Sequence, residues 1–520
     1  MKANTPPPFR IDGPARIDRQ RPLSFSFNGK EMMGHFGDTL ASALIANGVH
    51  LVARSMKYHR PRGIVASGVE DPNSMVQLGV GAGTEPNAKA TVVQLYNGLS
   101  ATSVNVWPSV ETDIGSVNQM LSPFMTAGFY YKTFMPSQAF WNRVAEPFIR
   151  NAAGFGKAPE GGDPDFYDHC HVHCDVLVVG AGPTGLAAAH AASATGARVI
   201  LADEQFELGG SLLSSDYEIG DQPAMEWADK SVSALENAEE TTVLPRTTVV
   251  GLYDQNYAIA VERRTDHLGA AQSSPGNVRQ RLWHIRAAQI VLATGAHERA
   301  MVFANNDRPG VMLADAAKTF VRRYAALPGR KAVLIANNDH AYEAALVMKG
   351  AGASVHVLDT RKQPVGSLPE AAREAGIAIE SNVTITGVKG AKRVSGVSVA
   401  DMTEDATGIT GTIRDIPADC VLMSGGYSPA VHLFCHAQGK LRYDDELAGF
   451  RPGAEKEGMT CVGGTNGDFG LKACLENGYA AGDAAAKASG FKGRRASRAP
   501  VSRGGQGALA IEPLWQLPGE

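Results

Sequence analysis

Three glycines and one aspartate carry the clearest chemical signal in the sequence. Gly180, Gly182 and Gly185 follow a short apolar run at the spacing G-x-G-x-x-G, and a second apolar run ends on Asp203. In a dinucleotide-binding fold these glycines permit the tight turn, the approach of a pyrophosphate and the packing of helix on strand. The helix N-terminus then faces the phosphates, and the acid takes the ribose hydroxyls. The four residues therefore predict a strand-turn-helix-strand unit that binds an ADP-containing ligand.

Size and composition set the frame for this unit. A chain of 520 residues exceeds one hydrophobic core and predicts several domains. Basic and acidic residues nearly balance, at 49 and 53, which predicts neither a nucleic-acid nor a membrane partner. The six cysteines are sparse, no apolar run reaches about 18 residues, and the start lacks an apolar signal core. We expect a cytoplasmic protein.

The N-terminal part has its own pattern. Residues 1–21 are rich in proline and charge and predict an arm, whereas residues 22–110 predict short strands, a hairpin turn at Asn28-Gly29 and one helix. This order resembles the beta-grasp domain of plant-type ferredoxins fused to flavoenzymes. In such domains the loop after Pro61-Arg62-Gly63 carries the cluster cysteines, but the first cysteine here is Cys170. Without thiolates we expect no iron-sulfur cluster.

A basic loop lies inside this domain. It contains Arg54, Lys57, His59, Arg60 and Arg62. These side chains could hold a phosphate of a ligand or partner, or they could form an ordinary solvated loop, and the sequence leaves both interpretations open.

Histidines and cysteines alternate just before the glycine turn, over residues 169–174. Imidazole and thiolate are zinc ligands, but this segment enters a strand, where alternate side chains face opposite ways, and no second ligand pair follows at finger-like spacing. We expect no metal site.

Residues 111–172 predict a connector of one or two helices. Their aromatic residues are irregularly spaced, and we expect these rings to pack in the core against the next domain. They are Phe124, Phe129, Tyr130, Tyr131, Phe134, Phe140, Trp141 and Phe148.

The chain predicts a second unit inserted into the first. An apolar strand over 289–296 ends in Ala-Thr-Gly, which resembles the crossover strand of the two-dinucleotide-domain flavoprotein and disulfide-reductase superfamily. The resulting fold class is α/β, with a ferredoxin-like beta-grasp domain followed by a two-unit Rossmann-like dinucleotide-binding domain. We expect the first unit over 173–300 and 425–487, the second over 301–424, and a basic linker or tail over 488–520.

Two departures from the superfamily pattern bear on the ligand. In the second unit the glycine turn is replaced by Ala336-Asn337-Asn338-Asp339, whose side chains and charge predict a degraded or empty nucleotide site. In the first unit Thr465 follows Gly464 where flavin-binding members usually carry an aspartate. This substitution weakens the case for FAD, whereas the case for another ADP-containing ligand is unaffected. The absence of a C-x-x-C pair excludes disulfide reduction.

Longer motifs resemble the alpha subunit of heterotetrameric sarcosine oxidase. They read HCDVLVVGAGPTGLAAA, LADEQFELGGSLL, IVLATGAHERAMVFANNDRPGVMLA and GGTNGDFGLKACLENG, and the resemblance covers about 22–515. Members of that family continue into a folate-binding domain similar to the glycine-cleavage T-protein, which this sequence lacks. The domain is expected either to have been truncated or to form a separate chain.

The resemblance implies a complex of several subunits. A beta subunit would carry FAD, FMN would lie between alpha and beta, NAD would occupy the first unit of this chain, and gamma and delta subunits would complete the assembly. The implied reaction converts sarcosine, oxygen and tetrahydrofolate into glycine, hydrogen peroxide and methylene-tetrahydrofolate.

The resemblance also implies a set of cofactor contacts, while no catalytic residue is assigned, since His297 and Glu298 are as plausibly structural as catalytic. The implied contacts are Gly180, Gly182, Pro183, Thr184 and Gly185 in the turn; Asp203, Glu204 and Gln205 after the second strand; Gly210 and Ser211; Val249 against the adenine; Thr294 and Gly295; and Gly464, Phe469 and Leu471.

Two alternatives stay open at this level. One is a self-sufficient oxidoreductase with FAD in the first unit and NAD(P) in the second. The other is the alpha chain of a related proline or opine dehydrogenase, whose first unit could bind ATP or FAD and whose amine pocket would lie on the other subunit.

Overall fold

The computed structural model describes residues 6–126, 128, 130, 133–153, 156–269, 274, 276–454, 456–491, 499–505 and 511–519. The N-terminal domain is a five-stranded mixed sheet of order β2-β1-β7-β5-β6, in which β1 and β7 run parallel. Its elements are β1 (Asp18–Phe27), β2 (Lys30–Phe36), α1 (Leu40–Ala46), β3 (Ala53–Arg54), β4 (Pro61–Arg62), β5 (Met75–Leu78), β6 (Glu85–Lys89) and β7 (Leu99–Ser103). The hairpin turn forms at Asn28-Gly29, where both residues have positive φ.

The segment before this sheet is not a free arm. β1 begins at Asp18, within the range predicted as an arm, and Ile17 is buried. Arg10 forms an ion pair of 2.7 Å with the buried carboxylate of Asp38 and also donates to the carbonyl of Tyr324. The N-terminal residues therefore tie the beta-grasp domain to the second unit.

The connector contradicts the prediction of a buried aromatic cluster. Phe124 is 79% exposed and Phe148 is 72% exposed. The described part of the connector consists of short 3-10 turns followed by a helical run, 138–153, that is π-helical over Trp141–Ala145 and ends in α2 (Glu146–Ala153). These elements lie at the surface, where Met120 and Phe140 are exposed as well. Phe129 and Tyr131 lie outside the described residues.

The first unit is a seven-stranded sheet. Strands β12, β9, β8, β15 and β28 run parallel, and β15, β14 and β13 form an antiparallel extension. Its elements up to the crossover are β8 (Tyr167–Val179), α3 (Pro183–Ser193), β9 (Val199–Ala202), β10 (Glu218–Ile219), β11 (Gln222–Pro223), α4 (Ala224–Glu236), β12 (Thr241–Leu244), β13 (Thr247–Tyr253), β14 (Tyr257–Arg263), β15 (Gln280–Leu292) and β16 (Ala296–Glu298). The apolar strand expected over 289–296 is the end of a longer strand, β15, which begins at Gln280 and pairs with β8 along most of its length.

The second unit has a five-stranded parallel sheet of order β17-β24-β18-β19-β20 and a three-stranded antiparallel sheet, β21-β22-β23. Its elements are β17 (Val311–Leu313), α5 (Ala314–Tyr324), β18 (Lys331–Ala336), α6 (Ala341–Gly350), β19 (Ser354–Asp359), α7 (Ser367–Glu374), β20 (Ala378–Ser381), β21 (Val383–Lys389), β22 (Gly396–Met402), β23 (Ile409–Ile416) and β24 (Cys420–Ser424).

The chain then returns and completes the first unit. β28 adds beside β15, and α9 packs closely on α3, where a Cβ on Gly482 would lie 2.1 Å from the Ala188 carbonyl oxygen. The returning elements are β25 (Tyr427–Pro429), α8 (His432–His436), β26 (Leu441–Asp444), β27 (Gly449–Pro452), β28 (Met459–Cys461), α9 (Leu471–Ala488) and β29 (Ser502–Arg503). Within the described ranges, no helix combines the length and apolar character needed to cross a membrane.

Candidate functional site

The glycine turn separates the needs of the fold from those of a ligand. Gly180 has φ +96, and a Cβ there would lie 2.3 Å from the Ala293 carbonyl oxygen; a Cβ on Gly185 would lie 1.7 Å from the Gly180 oxygen. Packing alone therefore demands both glycines. Gly182 has φ −72, and its Cβ would meet no protein atom closer than Gly210 Cα at 4.0 Å. Its missing side chain instead leaves room for a ligand to approach the backbone.

The helix after the turn provides an anion-binding end. Gly182 is the N-cap of α3 and offers no side chain to its first N–H groups, and Pro183 occupies the first turn. The N-terminus of an eleven-residue helix carries partial positive charge and uncapped donors. Gly182, Pro183 and Thr184 line the cavity described next, so this end suits a pyrophosphate.

A cavity of about 500 Å³ gathers most of the predicted contacts. Fourteen of the sixteen line it: Gly180, Gly182, Pro183, Thr184, Asp203, Glu204, Gln205, Gly210, Ser211, Val249, Thr294, Gly295, Gly464 and Phe469. The structure does not bring the other two into the lining. Gly185 serves the packing of the turn, and Leu471, the first residue of α9, is buried in the core of the first unit.

Two carboxyl groups form one edge of the cavity. Asp203, at the end of β9, accepts hydrogen bonds from the backbone N–H of Ala181 at 2.7 Å and of Gln205 at 2.8 Å, which fix its orientation. Burial raises its pKa. Glu204 follows, and burial, together with Asp203 and Glu70, raises its pKa to about 7. This edge therefore offers a ribose two acceptors, of which Asp203 is the oriented one.

Thr465 replaces the aspartate of the flavin pattern and has a structural role. It is fully buried, accepts a hydrogen bond from the Gly295 N–H at 2.9 Å and contacts the Thr294 hydroxyl at 3.1 Å. The sequence reasoning missed a nearby acid, Asp468, which lines the cavity and accepts from Asn477 Nδ2 at 3.1 Å. The sequence analysis looked for an aspartate directly after Gly464, at position 465, whereas Asp468 lies three residues further along the chain.

One wall of the cavity comes from the beta-grasp domain and was not predicted. Residues 67–70 lie in the loop that carries cluster cysteines in ferredoxins, and here they line the nucleotide cavity. The fully buried carboxylate of Asp71 organises this loop by accepting four backbone hydrogen bonds of 2.7 to 2.9 Å, from Val65, Ala66, Asn73 and Ser74. A carboxylate thus anchors a loop that has no thiolates, and an iron-sulfur cluster does not fit it.

Arg323 is a further wall residue that the sequence did not indicate. It extends from α5 of the second unit, is 5% exposed and donates to Gln205 Oε1 at 2.6 Å. Its buried Nη2 has no partner in the described structure, although the side chain lines the cavity. An unpartnered buried donor beside the ribose edge fits a dinucleotide, which brings the acceptor that the protein lacks.

The far end of the cavity holds a buried group of ionisable side chains. Glu298 accepts from the Asp315 N–H at 2.8 Å, and Lys318 pairs with Asp315 at 2.7 Å and with Glu343 at 3.2 Å. Tyr217 donates to Glu343 at 2.9 Å. Burial raises the pKa of Glu298 to about 8, so this carboxyl holds a proton at neutral pH. Burial lowers the pKa of Lys318, but the two carboxylates outweigh this and raise it.

In the second unit, the acid that corresponds to Asp203 bonds to other side chains of the protein. Asp359, at the end of β19, is fully buried, accepts from the Tyr342 hydroxyl at 2.7 Å and pairs with Arg361 at 2.8 Å. Arg361 also pairs with Asp339 at 2.7 Å.

A C-terminal segment, 511–519, covers the turn of the second unit. The N–H of Glu512 donates to the Asn337 carbonyl at 3.0 Å, and Trp515 Nε1 donates to the Gly425 carbonyl at 2.8 Å. Neither the acid nor the turn is open to a second nucleotide.

The histidines before the glycine turn form a stack on the sheet. His171 and His284 are cross-strand partners of β8 and β15, and their ring centroids lie 4.3 Å apart. The residues that the structure describes contain no group of three or more His, Cys, Asp or Glu side chains placed to hold a metal ion.

The residues of the basic loop contact other parts of the protein. Arg60 and Arg62 both pair with Asp307 of the second unit, and His59 contacts Asp113 at 2.7 Å. Arg54 is buried and donates to the Val110 carbonyl. Arg60 and Arg62 therefore join the beta-grasp domain to the second unit, and Arg54 and Arg60 also line a separate cavity of about 450 Å³.

Two known protein families match the chain, one over the N-terminal domain and the other over the two dinucleotide-binding units. Residues 20–106 match the 2Fe-2S iron-sulfur cluster binding domain, although none of them is cysteine, and residues 174–503 match the pyridine nucleotide-disulphide oxidoreductase family. The predicted fold class is confirmed. A solved structure, L-proline dehydrogenase from P. horikoshii, shares the fold with a TM-score of 0.61 at 19% identity, over 94% of this chain and 77% of the other.

Several curated proteins resemble the chain over longer stretches. The sarcosine oxidase alpha subunit of Rhizobium meliloti is 42% identical over 98% of this chain and 50% of its own length, and that of Corynebacterium sp. (strain P-1) is 38% identical over 97% and 47%. An opine oxidase subunit of Rhizobium meliloti is 30% identical over 55% of this chain and 56% of its own length. The predicted resemblance to sarcosine oxidase alpha subunits is confirmed. The chain spans about half the length of these relatives.

Proposed function

The chain belongs to the pyridine nucleotide-disulphide oxidoreductase family, and on this premise we propose that it is the dinucleotide-binding alpha subunit of a flavin-dependent sarcosine oxidase. The observation that carries this proposal is the 42% identity to a sarcosine oxidase alpha subunit, which continues through both domains over 512 residues. An alternative, a self-sufficient enzyme with two nucleotides, is disfavoured because Asp359 and the turn of the second unit are engaged internally.

NAD is the proposed occupant of the 500 Å³ cavity. The N-terminus of α3 would bind its pyrophosphate, Asp203 would accept from a ribose hydroxyl, and the loop 67–70 would exclude water from one side. Thr465 supports NAD over FAD, because it occupies the position at which flavin-binding members of the superfamily usually carry an aspartate. At the far end of the cavity, the protonated carboxyl of Glu298 would offer the ligand a neutral hydrogen-bond donor.

The flavins belong to the partner in this proposal. FAD would lie on a beta subunit, FMN would lie between this chain and that subunit, and gamma and delta subunits would complete the complex. A flavin supplies the oxidation of the amine C–N bond, and tetrahydrofolate accepts the carbon unit while oxygen becomes hydrogen peroxide. All six cysteines are free, which supports a reducing compartment, the cytoplasm.

The exposed side of the connector is the proposed docking surface for the flavin-carrying subunit. Trp107, Met120, Phe124 and Phe148 are 68 to 80% exposed, and residues 114–126 contain no charged side chain. Large apolar side chains exposed to this degree are typical of an interface with another protein. A flavin-carrying subunit is the occupant that the similarity to sarcosine oxidase alpha subunits favours.

Co-purification tests this surface. Met120→Ser combined with Phe124→Ser is expected to reduce, at least tenfold, the recovery of a co-expressed beta subunit. Phe450→Ser, at a side chain that is 57% exposed on β27 and outside the connector, is the matched control and is expected to leave recovery unchanged. Equal recovery with both variants would refute the assignment of this surface.

Reconstitution tests the function itself. The chain is assayed alone and together with the flavin-carrying subunit, with sarcosine, proline and an opine as substrates and hydrogen peroxide as the readout. We expect oxidation of sarcosine by the complex only. A preference for proline or an opine would favour assignment to the related amine dehydrogenases, since the chain also resembles an opine oxidase subunit. Oxidation of any of these substrates by the isolated chain would refute the subunit role.

A further inference from the structure

A second cavity adjoins the nucleotide cavity. It encloses about 200 Å³ between the beta-grasp domain and three segments of the first unit: Arg246 just before β13, Arg263 at the end of β14, and residues before β15 that include Thr265 and Arg279. Ser67, Gly68, Val69, Glu204 and Gln205 line both cavities, so the chamber opens beside the residues that follow β9. The chamber is therefore next to the ribose edge of the proposed nucleotide site.

The cations of this chamber differ in their partners. Arg279 is saturated, because it pairs with Asp266 at 2.7 Å, with Asp165 at 2.8 Å and with Glu85. Arg246 and Arg263, by contrast, have no carboxylate within 4.0 Å among the described residues. Arg246 donates to the side-chain oxygen of Gln94 at 2.8 and 3.1 Å, and Arg263 donates to the Glu204 carbonyl at 2.9 Å.

Two guanidinium groups that share a buried space repel each other. Burial, and after it the charge of Arg263, lowers the pKa of Arg246. Glu204 compensates only in part, because its pKa of about 7 leaves it about half protonated at neutral pH. Arg246 and Arg263 are half-buried and neither has a carboxylate within ion-pair distance among the described residues, so a bound anion would relieve their mutual repulsion. Guanidinium groups also match the geometry of phosphate oxygens.

We propose that Arg246 and Arg263 form a binding site for a phosphate group beside the ribose of the bound dinucleotide. The proposal rests on the proposed nucleotide site for the position of that ribose. Arginine near the residues that follow the second strand is the arrangement by which dinucleotide folds accept a 2′-phosphate. The same chemistry would hold either that phosphate or free inorganic phosphate.

Calorimetry on the full chain, stripped of ligand, distinguishes the two sources. NAD and NADP are titrated separately, and inorganic phosphate is titrated into the free and the NAD-saturated chain. NADP binding at least tenfold tighter than NAD assigns the site to a 2′-phosphate. Phosphate binding without that preference assigns it to a free anion. In either case Arg246→Gln and Arg263→Gln each abolish the effect.

The matched control is Arg264→Gln, since Arg264 pairs with Glu262 at 3.7 Å and lies outside the chamber lining. Without anion, each Arg→Gln variant in the chamber is expected to melt at the same temperature as the wild type or higher, because the substitution removes repulsion. Phosphate should raise the melting temperature of the wild type but not that of either variant.

Absence of both the NADP preference and phosphate binding in the wild type would overturn the inference. Phosphate binding that depends on both arginines, in a chain that binds no dinucleotide, would support it and overturn the nucleotide proposal instead.

Discussion

Substituting Gly182 tests whether the glycine turn serves a ligand. Its φ of −72 suits any residue, and an added Cβ would meet no protein atom closer than 4.0 Å. Gly182→Ala should therefore fold normally, with an unfolding free energy within about 1 kcal/mol of the wild type, because the restricted unfolded chain of alanine and the preference for glycine at an N-cap oppose each other. The new methyl group would occupy the space through which a pyrophosphate reaches the backbone.

The expected loss of affinity follows from the contacts that this methyl group would block. A hydrogen bond to a charged acceptor contributes about 1.5–3 kcal/mol. Losing one such bond weakens NAD binding roughly 10- to 100-fold. The assay is calorimetric titration of NAD into the ligand-free chain, accompanied by thermal melting of each variant.

Two control substitutions separate folding from binding. Gly185→Ala places a Cβ 1.7 Å from the Gly180 oxygen and should lower the melting temperature, since overpacking costs about 1–3 kcal/mol or more. Gly350→Ala, at the last residue of α6 and with no atom within 4 Å of the new Cβ, should leave NAD affinity unchanged and should not lower the melting temperature. NAD affinity in Gly182→Ala equal to that of the wild type, or a melting temperature as low as that of Gly185→Ala, would refute the reasoning.

Three further predictions concern buried polar groups. Thr465→Val leaves the Gly295 N–H without its acceptor and should lower the unfolding free energy by about 1–3 kcal/mol in denaturant titration, whereas Thr465→Ser should retain most of it. Asp71→Asn replaces an acceptor oxygen by a donor among four N–H groups and should make the loop 67–70 sensitive to protease, while unchanged cleavage would contradict this role. The pKa of Glu298 is raised to about 8 in the folded state, so the folded protein binds this proton more tightly than the unfolded chain does. The wild type should therefore lose stability relative to Glu298→Gln as pH rises from 5 to 9. An equal dependence of the two melting temperatures on pH would contradict the raised pKa.

The local parts of the site were predictable because they follow from short-range sequence. The strand before Gly180, the helix after it and the acid at the end of β9 are adjacent in the chain, and their spacing alone defines the unit. The strand Thr247–Tyr253 and the helix Leu40–Ala46 likewise follow from residues that are neighbours in sequence.

The remote parts of the site were not predictable, because folding brings them from distant positions. The wall residues 67–70 precede Gly180 by more than 100 positions, and Arg323 follows it by more than 100. Nothing in the sequence near Arg323 indicates that its guanidinium would reach Gln205 from another unit. The prediction for Phe124 was wrong for a different reason, since residue type alone does not distinguish an exposed aromatic ring from one in the core.

Identification of the ligand released from the purified chain tests the central claim most directly. The protein is denatured, the supernatant is analysed by absorbance and mass, and the released molecule is counted per chain. A nicotinamide dinucleotide close to one per chain, without flavin, is the result expected from the Gly182 turn, the Asp203 edge and the buried Thr465. Stoichiometric FAD would contradict this account and make the self-sufficient oxidoreductase the better explanation.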